Sequence, residues 1–390
     1  MTLVEPCLRD FQKSALERLR DQSHVVCLAP TGSGKSRIYE VAAATLAKRT
    51  LLITPLIALG NQQASQLREL QFSVALNLGG TWAPPTSGDH IWITSPEYLA
   101  TPSGQKLLQE WKPELWVIDE CHCWSEWGES FRPAYGHLPN LFRVHAPRRS
   151  LWLSATFRRS EILRLEEALG VPLTVEGGFD LPSGMHLSLI EARAPDRLPL
   201  LQAFLSRQIS PGLIFCATRR ETESVHRLLS HWNIPSLYYH AGLSQEERLS
   251  LEQRLRRSDR AASCSPTHLV ATTAFGMGMN FLSFRWSLLW QPLFTVEAIA
   301  QAIGRCGRGP EKTSKAILFH HAEDLNRLKT LAPKGFPEVR ALIQEPLCRL
   351  ARLSQIFDER DPSTATPPKR FCQRCDLCLR RPEKFINRSV

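Results

Sequence analysis

VVCLAPTGSGKS, residues 25–36, decides how this chain is read. The apolar run Val25–Leu28 has the length and β-branched content of a buried strand. Gly32, Gly34 and the pair Lys35-Ser36 follow, and then a helix-like run. Glycines in such a turn let successive backbone N–H groups face phosphate oxygens, and the helix that follows adds its positive end. Strand, glycine-rich turn, Lys-Ser and helix in this order form a phosphate loop, with Ala29 where the general pattern has glycine. Lys35 is expected to reach the β- and γ-phosphates and the Ser36 hydroxyl to bind Mg²⁺, with Thr31, Gly32, Ser33 and Gly34 lining the nucleotide. A chance Gly/Ser loop is the bland alternative, and it does not explain the order of the four parts.

A second stretch, DECHCWSEWGESFRPAY from Asp119 to Tyr135, supplies what a phosphate site lacks. It ends another apolar run, Leu115–Ile118, and carboxylates at the carboxyl end of a strand lie where open α/β sheets bind ligands. Asp119 is placed to hold Mg²⁺ and Glu120 to polarise an attacking water, since phosphoryl transfer needs positioning more than covalent chemistry. Trp124, Trp127, Phe131, Arg132 and Tyr135 follow closely, a composition suited to stacking on bases and binding phosphates. For Trp124 and Phe131 a role as core anchors of an ordered loop competes with that reading.

Around these stretches the chain alternates short apolar runs with helix-like segments, which argues for mainly parallel α/β sheets. Strands are expected at Val25–Leu28, Leu51–Thr54, Ile91–Thr94, Trp116–Asp119 and Leu151–Ser154, then at Gly212–Cys216, Leu237–Tyr239, His268–Thr272, Trp286–Trp290 and Ala316–Phe319. The Gly/Pro-rich stretch Val175–Gly184 between the two sets reads as a linker. With 390 residues the chain is too long for one core, and the expected domains are 1–178, 179–330 and a tail 331–390. A composition of 43% hydrophobic and 22% charged residues is that of a globular protein, and no apolar stretch reaches membrane-spanning length. Without a signal-peptide pattern at the N-terminus, the expected location is the cytosol. The net charge of +10 favours a polyanionic partner, although any basic enzyme would share it.

Of 11 cysteines, four gather at the end: Cys348, Cys372, Cys375 and Cys378. The CxxCxxC spacing lets three thiolates converge on one metal ion, and Cys348 on a preceding helix would complete a tetrahedron. Zn²⁺ in a closed structural site leads, and an iron–sulfur cluster competes.

Taken in order, the phosphate loop, Asp119–His122 and Ser154–Thr156 resemble motifs I to III of superfamily 2 helicases. Thr54–Leu59, Thr94–Leu99, the aromatic stretch Cys121–Tyr135 and Arg9-Asp-Phe-Gln12 narrow the resemblance to the RecQ family. In the second half, Tyr239–Leu243, Ala274–Asn280 and Gln301–Arg308 resemble that family's motifs IV to VI, and the four cysteines its zinc segment. The resemblance implies two tandem RecA-like domains plus a small C-terminal zinc-binding helical segment, with ATP between the domains. It implies that Arg9 and Gln12 bind the adenine side, and that Arg305 and Arg308 approach the γ-phosphate. It also gives His122, Trp124, Trp127, Phe131 and Arg132 the role of coupling DNA contact to hydrolysis. The implied activity is an ATP-dependent 3′→5′ DNA helicase of repair and recombination. It would act on single-stranded and tailed duplex DNA, with single-strand-binding or other repair proteins as possible partners and no membrane. A DNA-stimulated translocase or annealing factor with little unwinding is the alternative; an RNA helicase and a nonenzymatic adaptor stand further off. The pattern departs at Ala302, where glutamate is usual, at Gly309, where aspartate follows the arginine, and at Phe281-Leu-Ser283. Twelve residues follow Cys378, so the winged-helix and helical DNA-binding domains common in the family are not expected.

Overall fold

The computed structural model describes residues 8–21, 24–78, 81–82, 84–127, 132–182, 184–208, 210–260, 267–276, 284–307, 313–358 and 372–379. The chain divides into two compact units, one built on residues 1–179 with 357–359, the other on 180–356 with 360–390.

The first unit contains strands β1 (His24–Leu28), β2 (Thr50–Ile53), β3 (Val74–Leu78), β4 (Thr81–Trp82), β5 (Ile91–Thr94), β6 (Leu115–Ile118), β7 (Arg149–Ser154) and β8 (Thr174–Gly177). Its helices are α1 (Asp10–Arg20), α2 (Ser36–Thr45), α3 (Ile57–Glu69), α4 (Pro96–Leu99), α5 (Pro102–Trp111), α6 (Cys123–Trp127), α7 (Leu138–His145) and α8 (Arg159–Leu169). The sheet order is β4-β3-β5-β2-β6-β7-β1-β8, parallel except for the β3–β4 pair. A parallel sheet must be covered on both faces, and the two-residue period of the strands shows how. Val25, Cys27, Leu52, Leu115, Val117, Leu151 and Leu153 pack with Leu16 and Leu19 of α1, Ile38 of α2 and Leu67 of α3. The alternate residues Trp92, Trp116 and Trp152 meet aromatic partners instead: Trp92 meets Trp111 at 5.8 Å, and Phe142 of α7 meets Trp116 at 5.9 Å and Trp152 at 6.3 Å.

In the second unit the strands are β9 (Met185–Glu191), β10 (Gly212–Phe215), β11 (Ser236–Tyr239), β12 (His268–Ala271), β13 (Trp286–Leu289) and β14 (Ser314–His320). They form one parallel sheet of order β11-β12-β10-β13-β14-β9. Helices α9 (Ala194–Leu205), α10 (Arg219–His231), α11 (Gln245–Arg260), α12 (Val296–Ile303) and α13 (Ala322–Leu331) alternate with them. Gly212 is required by contact: a Cβ there would lie 2.0 Å from the indole of Trp286, its register partner on β13. After α13 the strands stop, and α14 (Phe336–Gln344), α15 (Arg349–Asp358) and the short α16 (Asp376–Leu379) carry the cysteines.

The linker expected at Val175–Gly184 begins later than its composition suggests. Residues 174–177 are strand β8, paired in parallel with β1. Gly177 has φ +82°, and a Cβ there would meet Leu28 O at 2.1 Å, so this glycine serves a close backbone approach inside the sheet.

Candidate functional site

Strand order β6-β7-β1 places three carboxyl-terminal strand ends side by side. The phosphate loop leaves β1, the Asp-Glu pair leaves β6, and Ser154 ends β7. Backbone bonds lace them together: Ala29 N–H donates to Ser154 O at 3.2 Å, and Cys121 N–H to Leu153 O at 2.9 Å. Within the loop, Gly32 and Gly34 take φ +76° and +87°, values that favour glycine. Lys35 Nζ donates to the carbonyls of Ala29 at 2.7 Å and Pro30 at 3.3 Å. The buried Ser33 Oγ has no hydrogen-bond partner among the described residues, as suits a donor kept for a ligand. Gln12 Nε2 donates to Gly34 O at 2.7 Å while its Oε1 accepts from Arg9 N at 2.8 Å, so the Arg9–Gln12 element is fastened to the loop itself.

Asp119 is held from two sides. Its Oδ2 accepts from Gln63 Nε2 at 2.7 Å and its Oδ1 from the Glu120 N–H at 3.0 Å. Burial and the neighbouring Glu120 push its pKa above the ordinary carboxylate range, with Lys35 opposing. Two carboxylates this close in a half-buried niche are relieved by a divalent cation, so the donor set fits Mg²⁺. Glu120 itself takes φ +50°, a left-handed conformation that a non-glycine residue rarely holds. The buried His122 places Nδ1 3.5 Å from Glu120 Oε2 and 3.1 Å from Ser154 Oγ, and that hydroxyl also accepts from Thr156 N–H at 3.1 Å. One imidazole thus joins the Asp-Glu strand end to the Ser-Ala-Thr strand end. Arg132 Nε donates to Glu97 Oε1 at 2.7 Å, and its Nη1 donates to Pro55 O, so it binds two neighbouring loops of its own unit.

Cys348, Cys372, Cys375 and Cys378 converge in the second unit, with all four sulfurs within 4.8 Å of one another. The Cys372–Cys378 pair lies 3.8 Å apart, the spacing that ~2.3 Å metal–sulfur bonds give in a tetrahedron. Hydrogen bonding from Cys375 lowers the pKa of Cys348, helped by the Ala351 N–H, while that of Cys375 rises. The cluster therefore already favours a thiolate, and the donor set fits Zn²⁺. Cys348 lies just ahead of α15 rather than on a helix before it. The buried Arg349 donates to the Asp376 carboxylate at 3.3 and 3.4 Å and to the carbonyls of Leu342, Ile343 and Glu345 that end α14. On the far side, Leu187 N–H of β9 donates to Arg374 O at 2.8 Å, which docks the cysteine segment on the outer strand of the sheet.

Residues 9–165 match the DEAD/DEAH box helicase family and residues 196–310 the helicase conserved C-terminal domain. Among curated relatives, the ATP-dependent DNA helicase RecQ of Haemophilus influenzae is 30% identical over 394 residues, covering 94% of this chain and 60% of that protein. RecQ of Pasteurella multocida is 28% identical, covering 91% of this chain and 57% of its own length. The chain belongs to the RecQ family. It spans about three-fifths of the length of these two bacterial relatives. Solved structures agree on the fold: the DUF1998 helicase MrfA bound to DNA matches with TM-score 0.65 at 20% identity, covering 84% of this chain and 48% of that one. Dbp5 of S. cerevisiae bound to RNA matches with TM-score 0.64 at 16% identity, covering 84% and 87%.

Membership gives the motifs their order, and the structure shows which of the expected residues meet. In the first unit Gln12, Lys35, Asp119, Glu120 and His122 fall in one connected network with the phosphate loop. Arg305 is buried just after α12. Phe131 and Arg308 lie outside the described residues, as does the side chain of Trp127. Gln63 and Arg349 were missed by sequence reasoning. Gln63 occupies a buried position of α3 between Leu59 and Leu67, and a polar residue on an apolar face is the signal that marks it. Arg349 sits beside Cys348 and had been read only as charge.

Proposed function

We propose that this chain is an ATP-dependent DNA helicase of RecQ type. It would hydrolyse ATP to move 3′→5′ along single-stranded DNA and open tailed duplexes during repair and recombination. The observation that carries this reading is the Asp119–Glu120 pair brought beside the phosphate loop by adjacent parallel strands and fastened through His122 to Ser154. Lys35 neutralises phosphate charge, Ser36 and Asp119 hold Mg²⁺, and Glu120 orients the attacking water. Arg9 and Gln12 sit on the nucleotide side of the loop. Arg305 and Arg308 enter on family resemblance as the cations that stabilise the transferring phosphoryl group. His122, Trp124, Trp127, Phe131 and Arg132 are the proposed link between strand contact and hydrolysis. Cys348, Cys372, Cys375 and Cys378 hold Zn²⁺, which supplies cross-linking of the segment rather than chemistry.

The test compares unwinding of a 3′-tailed duplex, a 5′-tailed duplex and an RNA–DNA hybrid, with Lys35→Ala as control. Strand separation on the 3′ tail alone, abolished in Lys35→Ala, is the expected result. Equal activity on 5′ tails defeats the polarity. ATP hydrolysis stimulated by single strands without any separation selects the translocase or annealing reading.

A further inference from the structure

Beside the catalytic network the first unit holds a cavity of about 230 Å³ that nothing above has used. It is walled by Trp124 and Ser125 of α6, by Pro139, Asn140 and Arg143 of α7, and by Arg164 of α8. The volume is below the ~300–1,000 Å³ of pockets that take whole drug-sized ligands, so it suits one ring system. The Arg164 guanidinium lies 5.9 Å from the centroid of the half-buried Trp124 indole. Arg143 is oriented by the Asn140 side-chain oxygen at 2.5 Å and is exposed. No carboxylate occurs among the described lining residues. An indole flanked by two arginines offers stacking to a base and forked donors to phosphate.

The wall of this cavity is also the first turn of α6, which grows directly out of the catalytic segment. Cys123 N–H donates to Glu120 O at 3.0 Å, Trp124 N–H to Cys121 O at 3.0 Å, and Ser125 N–H to His122 O at 3.1 Å. The Ser125 hydroxyl adds a second bond to His122 O at 3.0 Å. Whatever presses on Trp124 and Ser125 therefore presses on the backbone that holds Glu120 in its left-handed conformation.

We propose that this cavity is a further single-strand subsite, taking one base against Trp124 with its phosphate at Arg143 and Arg164. It is separate from Trp127, Phe131 and Arg132, and it reports its occupancy to Glu120 through α6. The proposal rests on the DNA-binding reading above. Guanidinium forks and a stacking indole favour a nucleotide over an acidic peptide, which would leave the ring unused.

The experiment titrates a fluorescent oligothymidine against the full chain over a range of salt concentrations. The variants are Trp124→Leu and the double variant Arg143→Gln/Arg164→Gln, whose positions are exposed and tolerate the change. Trp124→Leu is expected to weaken binding about tenfold, the loss of one stacked base. The arginine double variant is expected to lower the slope of log affinity against log salt by roughly 1–2. A strand carrying 5-iodouracil should crosslink to the peptide containing Trp124. Unchanged affinity and slope in both variants, with wild type binding normally, overturn the subsite. So does crosslinking confined to other peptides, or a glutamate-rich peptide that outcompetes the oligonucleotide and depends on Arg143 and Arg164. Failure of wild type to bind any single strand instead defeats the DNA-binding reading itself.

Discussion

Gln63 shows how much of a catalytic site a side chain outside every motif can control. Its amide is the side-chain donor on Asp119, and it comes from α3, a helix whose buried face is otherwise apolar or small. Replacing it by methionine keeps the volume and removes the donor. Gln63→Met is expected to cost roughly 10–100-fold in Mg²⁺ affinity or in activity, as loss of a ligand-orienting partner does elsewhere. A Mg²⁺ titration of ATP hydrolysis with unchanged circular dichroism checks it. His268 is a residue of a different kind. It is buried, its Nδ1 accepts from Gly212 N–H at 3.2 Å, and burial lowers its pKa to about 4. A depressed histidine is neutral when folded, so its contribution is complete above pH ~6.5 and is lost as pH falls toward 4. The loss amounts to on the order of 2–3 kcal/mol. Urea midpoints measured between pH 7.5 and 4.5 should fall in wild type and flatten in His268→Leu, which starts lower because Gly212 loses its acceptor. Lys35, Asp119 and Glu120 were legible because their chemistry needs fixed neighbours in sequence. Gln63 was not, because its partner lies 56 residues away and only the packed helix reveals it.

At the scale of elements, the strands that sequence reasoning found are the ones buried on both faces. Ile91–Thr94 and Leu115–Ile118 read as unbroken apolar runs and are buried along their whole length. Those it missed alternate or lie at margins: β8 is half-exposed throughout, and β9 buries every second residue. Period-two burial over a short edge strand is easily lost among turn residues. The glycine at 212 is a feature no pattern announces, since its reason is the indole of Trp286 on the neighbouring strand. Gly212→Ala is expected to destabilise the chain by about 1–3 kcal/mol through overpacking. Trp286→Leu in the same chain should recover part of that loss, and a double-mutant cycle read by urea denaturation measures the coupling.

For the whole molecule, the cysteine module is the part whose composition was legible while its attachment was not. The thiol spacing announced a metal site, but Arg349, Asp376 and the bond from Leu187 to Arg374 show that the segment is built onto α14 and β9. One zinc per chain is expected by elemental analysis, with loss of the metal in Cys348→Ser. Chelation should open residues 345–379 to protease while the phosphate-loop unit stays resistant. Stoichiometric iron or a brown chromophore would replace zinc with an iron–sulfur cluster. The pairing of β9 with β14 also has a consequence during synthesis. β9 is complete at Glu191, yet its sheet partner begins only at Ser314. At ~5–20 residues per second the ribosome takes roughly 6–25 s to supply it. For that interval a finished strand waits with its hydrogen-bonding edge uncovered, and its other neighbour, Cys375, emerges later still. The nascent chain is therefore most vulnerable to aggregation in the middle of its translation, when half the enzyme is already made.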